Sequence, residues 1–399
     1  MAPKDLINKQ MRTRAVHAGR DPEAATGAVV PPIHLSTTFE RDPDGGYPRG
    51  FAYSTFANPN RHALEAAMTQ LEGGAAAVAS ASGMAAIAGV LSGLSRGDRI
   101  IVSYDLFQGT ARLLNDQGRQ WGVEIDVVDI CDLTQVAATI TPKTRMIWVD
   151  SPSNPLMRVA DIAALAEVAK AKGCYLAVDS TFATFALQKP LALGADVVIH
   201  AATKYISGHS DVVNGLAVFG EAGHLYDRAR AFQINVGAAP SPFDCWLVHR
   251  GLRTLPLRIV AQSEAALAVA MALEAHPMIE KVYYPGLPGD PTHAVATRQM
   301  RGGYGGMVSA SVRGGREAAL ATVAAVRLFF RAASFGGVES LIEHRASSPI
   351  QTRGQGTGYV MPEDLLRLSI GLEAPDDLIA DLDQALNTAR RNARVSGGQ

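Results

Sequence analysis

At 399 residues the chain is too long for one ordinary core, so one large and one smaller domain are expected. Its 37 Lys and Arg stand against 38 Asp and Glu with no long run of one sign, which argues against a nucleic-acid stripe or an anionic-membrane patch and leaves a small molecule as the expected partner. Cys131, Cys174 and Cys245 are an odd, widely spaced set without a Cys-x-x-Cys pair, which argues against a disulfide framework and against a metal site; each is expected to be a small buried apolar residue.

The opening stretch, MAPKDLINKQMRTRAVHAGR, has no apolar core of signal-peptide length. No later stretch reaches membrane-spanning length without charges, so a cytoplasmic enzyme is expected. Residues 1–56 are rich in Pro, Gly, Thr and Asp, as in PPIHLSTTF and RDPDGGYPRG, and carry turn chemistry without helical or strand period. An irregular segment of that length needs a surface to lie on, either its own domain or a neighbouring subunit.

From about 58 to 220, helical segments alternate with the short apolar runs AAAVAS, DRIIVSY, VEIDVVD, RMIWVD, CYLAVD, DVVIHA and LAVFG. Such runs, rich in β-branched residues and bounded by charge or Gly, are expected of strands buried on both faces. Between RMIWVD and CYLAVD, Ile162, Leu165, Val168 and Ala169 recur at helical spacing and Gly173 supplies the stop. The β-α-β pattern predicts a mainly parallel sheet flanked by helices, with ligands beyond the C-terminal ends of the strands. The segment from 241 to 275 is helical in period apart from Pro256 and reads as a spine joining two domains. The rest, with MVSASV, VRLFFRA, LLRLSIGL and a helix near 376–391, reads as a smaller C-terminal α+β domain.

Four features fall where a phosphate-bearing ring could be held. Ser82-Gly83-Met84 follows AAAVAS and opens an Ala-rich helix; Gly lets the backbone approach an anion and the helix start offers free N–H groups, though a plain cap has the same residues. Asp179 ends CYLAVD, where a carboxylate beside a pyridinium nitrogen would keep that nitrogen protonated, or where it would simply cap a turn. Lys204 lies beyond DVVIHA among His200, Thr203, Tyr205, His209, Ser210 and Asp211, and an amine there can condense with an aldehyde if its surroundings let it lose its proton. Arg367 interrupts the apolar LLRLSIGLE, offering a bidentate contact to a carboxylate, with an ion pair to Glu373 as the structural alternative.

Together these motifs resemble the pyridoxal 5′-phosphate (PLP) dependent enzymes of Cys/Met metabolism. The similarity runs from VPPIHLSTTF through YSTFANPNRHALE, SASGMAAI, SPSNP, VDSTFAT, PLALGADVVIHAATKYISGHSDV and SFGGVESLIEH to LLRLSIGLE, in order over nearly the whole chain. The resemblance implies an α/β, PLP-dependent aminotransferase-like (type I) fold, with an arm over 1–56, a large cofactor domain over 57–250 and a smaller domain over 251–399. It implies Lys204 as the Schiff-base lysine, Asp179 at the ring nitrogen and Asn154 at the ring hydroxyl. Gly83, Met84 and Thr203 would hold the phosphate, Phe107 would stack on the ring, and Ser334 and Arg367 would bind the substrate carboxylate. Tyr53 would reach the phosphate of a neighbouring subunit within a homotetramer.

The chain departs from the family pattern at several points. Phe107-Gln108-Gly109-Thr110 stands where the family has Tyr-Gly-Gly-Thr, so the ring stacks without a hydroxyl to move protons. Tyr53-Ser54-Thr55 replaces Tyr-Ser-Arg and Ala201 replaces a serine, removing a bidentate cation and a hydroxyl from the phosphate cup; Arg61 is not a substitute, while Arg49 or an uncharged cup remain open. Arg345 stands where Pro is common, as a surface residue or as an added cation at the substrate end. The resulting expectation is γ-elimination or γ-replacement on an L-amino acid, by a specialised, biosynthetic member expelling a halide or an acyl ester. An ordinary transsulfuration-type lyase or synthase and a catalytically silent PLP-binding protein are the alternatives.

Overall fold

The computed structural model describes residues 8–20, 22–348 and 357–396, with side chains to residue 391. Residues 1–7 of the expected arm lie outside the described residues. Seven strands form the first sheet: β1 Ala76–Ser80, β2 Arg99–Ser103, β3 Glu124–Val128, β4 Thr144–Asp150, β5 Tyr175–Asp179, β6 Val197–His200 and β7 Gly215–Phe219. Their spatial order is β1-β7-β6-β5-β4-β2-β3, with β7 antiparallel to both its neighbours and the remaining pairs parallel. All seven apolar runs of the sequence are strands, and all but the edge strand β3, where Val127 is exposed, are covered on both faces. Along β4, Met146 and Trp148 join the core on one side, with Ile100 and Val102, while Ile147 and Val149 join the core on the other, with Leu165 and Leu176.

The covering helices start and stop where local chemistry dictates. Asn58 caps Pro59–Glu72 through its side chain, Pro59 sits in the first turn where its missing N–H costs nothing, and Gly73 ends the helix in the left-handed region at φ 81°. Asp161 likewise caps Ile162–Lys172 and Gly173 ends it at φ 68°. The spine expected over 241–275 is two helices, Pro242–Leu252 and Leu255–Glu274, and Pro256 lies in the first turn of the second rather than within a continuous rod. The second helix is apolar and long enough to cross a membrane by composition, yet it buries Arg258, which bonds the carbonyls of Tyr205, Ile206 and Gly251.

The second sheet is β8 Ile279–Tyr283, β9 Met307–Val312, β10 Phe330–Arg331, β11 Leu341–His344 and β12 Leu365–Ser369, in the order β10-β11-β12-β9-β8. Of VRLFFRA only Phe330 and Arg331 are strand, and β8 and β11 are not apparent from the sequence pattern. The central strand β12 places Arg367 opposite Glu343 of β11. The final helix runs Pro375–Ser396.

Candidate active site

The C-terminal ends of β4, β5 and β6 and the turn after β1 face β11, β12 and the segment before β11 across a cavity of about 360 Å³. It is lined by Gly83, Met84, Phe107, Asn154, Asp179, Thr203, Lys204, Ser334 and Arg367, so nine residues singled out by the sequence meet in one place.

At one end, Ser82 has extended backbone and its Oγ accepts from the N–H of Ala85 at 3.1 Å, capping the helix Gly83–Leu91. The first-turn N–H groups of Gly83 and Met84 have no acceptor within that helix. A Cβ on Gly83 would stand 2.9 Å from Cβ of Ala201, so glycine is what lets this turn close on the loop leading to Lys204. Thr203 is fixed by Asn214: its Oγ1 donates to the Asn214 carbonyl at 3.1 Å and accepts from the Asn214 N–H at 3.0 Å. The turn thus exposes backbone N–H groups, while the Thr203 hydroxyl gives its one proton to Asn214. Among the described lining residues the lysines and arginines are Lys204, Arg345 and Arg367, and no Lys or Arg stands among Ser82, Gly83, Met84, Ala201 and Thr203.

In the middle, Asp179 Oδ1 accepts from the Thr181 N–H at 3.0 Å and from its hydroxyl at 2.5 Å. Burial pushes its carboxyl above the usual range, against those two bonds. On the neighbouring strand, Asp150 also lines the cavity. Its Oδ2 accepts from the backbone N–H of Phe107 at 2.6 Å and its Oδ1 from Trp148 Nε1 at 3.0 Å. Phe107 opens the short helix Gln108–Leu113. A Cβ on Gly109 would come within 2.5 Å of the Phe107 ring and 2.7 Å of Met84 Sδ, so both side chains close tightly over this glycine.

At the other end, Lys204 Nζ donates to Ser334 Oγ at 2.7 Å and lies 4.7 Å from the ring centre of Phe335. Burial, then the charges of Arg367 and Arg345, pull the Lys204 amine down to about 8, with Glu343 opposing. Ser334 has φ 102°, a left-handed conformation that a non-glycine residue holds at a cost of roughly 1–3 kcal/mol. Arg367 is buried and clamped: Nη1 donates to Asn154 Oδ1 at 3.1 Å, and Nη2 to the Ser334 carbonyl at 3.1 Å and to Glu343 Oε2 at 2.9 Å. Glu343, directly across the strand pair, is thus its acid partner; Glu373 instead accepts from Ser340. Arg345 is 5% exposed, lines the cavity and bonds Glu343 at 2.7 Å, which corrects the surface placement.

Tyr53 is not part of this cavity. It is 47% exposed on the arm, in an isolated bridge to Thr38. Arg61 is buried and donates to the carbonyls of Ser54 at 2.9 Å and Thr55 at 3.1 Å, shaping that loop from within, and Arg49 is exposed. The sequence pattern singles out neither Asp150 nor Glu343. For Asp150 a signal was present, since RMIWVD ends in Asp as CYLAVD does; Glu343 acquires its role only through strand pairing.

A family model described as Cys/Met metabolism PLP-dependent enzyme matches residues 12–387. The chain is 49% identical over 375 residues to a cystathionine gamma-synthase of Mycobacterium tuberculosis, covering 94% of this chain and 96% of that protein. It is 42% identical over 381 residues to a cystathionine gamma-lyase of Sus scrofa, covering 94% and 93%. The crystal structure of metB from Corynebacterium glutamicum superimposes with a TM-score of 0.92 at 40% identity, covering 96% of this chain and 99% of that one.

Proposed function

The chain belongs to the Cys/Met metabolism PLP-dependent enzymes, and from that premise we propose that it catalyses γ-elimination or γ-replacement on an L-amino acid whose γ-substituent departs without needing a proton. The cofactor is pyridoxal 5′-phosphate, and the enzyme is of the lyase or transferase type. The cavity suits that cofactor: a glycine-backed cradle of free N–H groups for an anion, a carboxylate at Asp179 for a ring nitrogen, a flat ring at Phe107 to stack, and a buried amine at Lys204. When bound, it supplies the electron sink that makes an amino acid's Cα proton removable.

The chain's own residues do the rest. Lys204, losing its proton near 8, is the base for the Cα proton, and Ser334 Oγ fixes where its nitrogen points. Arg367 places its positive charge at the α-carboxylate end of the cavity while Asn154, Ser334 and Glu343 hold it in place. Loss of a Cβ proton then lets the Cγ–X bond break, and the electron pair leaves on X. The observation that carries the proposal is Phe107: a benzyl ring has no proton to give, so thiolates and alkoxides leave unassisted, whereas chloride or a carboxylate needs no assistance. Supplying γ-chloro, O-acyl and γ-thioether amino acids in parallel tests this. The chloro and acyl substrates are expected to turn over fastest, and Phe107→Tyr is expected to raise kcat for the thioether alone by about 10²-fold. A thioether that is the best substrate of the unaltered enzyme, with no gain from Phe107→Tyr, overturns the reading.

A second reading is favoured by the relatives named cystathionine gamma-synthase and gamma-lyase: a transsulfuration-type enzyme making or breaking a C–S bond. It predicts thioether product from an activated amino acid plus thiol, or 2-oxo acid and ammonia from a thioether.

We further propose a cytoplasmic homotetramer whose active sites are completed in pairs, with Tyr53 of one copy reaching the phosphate held by its neighbour. Its exposure on the arm, away from its own cavity, supports this. Mixing inactive Lys204→Ala and Tyr53→Ala proteins is expected to restore part of the activity, since some mixed pairs then carry one intact site; no recovery in mixtures that exchange subunits contradicts it.

A further inference from the structure

Two carboxylic acids, not one, end neighbouring strands at this cavity. Asp150 and Asp179 are paired residues in the parallel register of β4 and β5, so their side chains leave the same face of the sheet. Both line the cavity, yet only Asp179 has a part in the reading above. Asp150 is 5% exposed, and both its oxygens are engaged: Oδ2 by the N–H of Phe107 at 2.6 Å, Oδ1 by Trp148 Nε1 at 3.0 Å. Trp148 is itself fully buried, so that anchor is rigid. The short helix that begins at Phe107 has no side-chain cap of its own. Asp150 is therefore the group that ties the start of that helix, and with it the Phe107 ring, to the sheet.

We propose that Asp150 is a positioning residue for the cofactor: it fixes the stacking ring of Phe107 and, side by side with Asp179, forms a carboxyl pair that carries a single negative charge until a cationic ring nitrogen joins it. The inference rests on the reading that this cavity holds the cofactor ring with its nitrogen at Asp179. Like charges on adjacent strand ends in a desolvated pocket disfavour double ionisation, as in any buried carboxyl pair. The titratable groups facing the pair from neighbouring elements act in opposite senses. Asp105, after β2, disfavours the charge on Asp150, whose carboxyl is pushed up first by burial and next by Asp179. His200, ending β6, favours the charge on Asp179. A cation beside Asp179 removes the repulsion and lets both acids ionise.

Asparagine at 150 has one acceptor oxygen for two donors, so one of the Phe107 and Trp148 N–H groups loses its partner. Asp150→Asn is expected to weaken cofactor binding to the cofactor-free protein about tenfold and to change the visible circular dichroism of the bound cofactor, while thermal unfolding shifts little. Trp148→Phe removes only the second donor, leaves the Phe107 N–H its partner, and is expected to change the visible dichroism much less than Asp150→Asn does. Unchanged affinity and dichroism in Asp150→Asn, or an equal change in Trp148→Phe, overturns the inference. If Asp150→Asn does not fold, infrared difference spectroscopy on the unaltered protein decides: the carbonyl stretch of a neutral carboxyl is expected before cofactor loading and lost after it, and its absence beforehand is contrary to the proposal. A protein that acquires no visible band with pyridoxal 5′-phosphate would instead refute the cofactor reading itself.

Discussion

The two sheets contribute opposite chemistry to one cavity. The seven-stranded sheet brings acids and N–H groups to its edge, in Asp150, Asp179 and the Gly83 turn, on strands buried on both faces. The five-stranded sheet brings Arg367, Arg345 and Glu343, on side chains that reach in from adjoining strands and the turn after β11. One side is suited to a cationic ring and the other to an anionic substrate end, with Lys204 between them. The first sheet's side is acidic and the second's is net cationic, two arginines against Glu343, so substitutions on the two sides should fail differently.

The largest effect is expected on the acid side. If Asp179 faces the ring nitrogen as proposed, Asp179→Asn removes the charge that keeps that nitrogen protonated and should lower kcat by about 10³-fold while the visible cofactor band persists; a loss below tenfold would show that the acid is dispensable. On the basic side, Arg367→Leu should raise KM by roughly 10²-fold, because the buried cation at the proposed carboxylate end is gone. It should also move a pH midpoint. On the proposed reading Lys204 captures the cofactor only when neutral, and its amine is pulled from the ordinary 10.5 to about 8, so capture by cofactor-free protein should rise with pH through about 8 and then level off. Arg367 is one of the cations holding that amine down, so its removal should shift the midpoint upward; an unchanged or lower midpoint, read by stopped-flow absorbance, would uncouple the two sides. The smallest effect is at their junction. Ser334→Gly relieves the backbone at φ 102° and should raise stability by about 1 kcal/mol in chemical denaturation, while depriving Lys204 of its hydroxyl partner and lowering kcat.

The same contrast governs what the residue order revealed. Six strands of the large sheet are legible because burial on both faces writes continuous apolar runs, the exposed edge strand β3 being legible only by its β-branched residues, and the residues at or just past the strand ends, Asp179 and Lys204, could be found by position. The small sheet was only half legible. Its strands are short, β10 is two residues, and Glu343 is chosen as the partner of Arg367 by register rather than by closeness in sequence. For Arg345 the sequence leaves a surface place and a place at the substrate end both open, because nothing local reveals that it turns inward to Glu343. Asp150 repeats the Asp179 pattern one strand earlier, but its role depends on the N–H of Phe107, 43 residues away.

Arg61 has a consequence for how such a chain can vary. Its guanidinium grips the carbonyls of Ser54 and Thr55, atoms that every residue possesses, and so fixes the shape of the arm's tip regardless of which side chains the tip bears. The loop is a socket with interchangeable fittings: Thr55 can occupy the family's arginine position while the backbone that presents it keeps its course. Lineages are thereby free to change the side chains that this loop carries without having to reinvent the backbone that presents them.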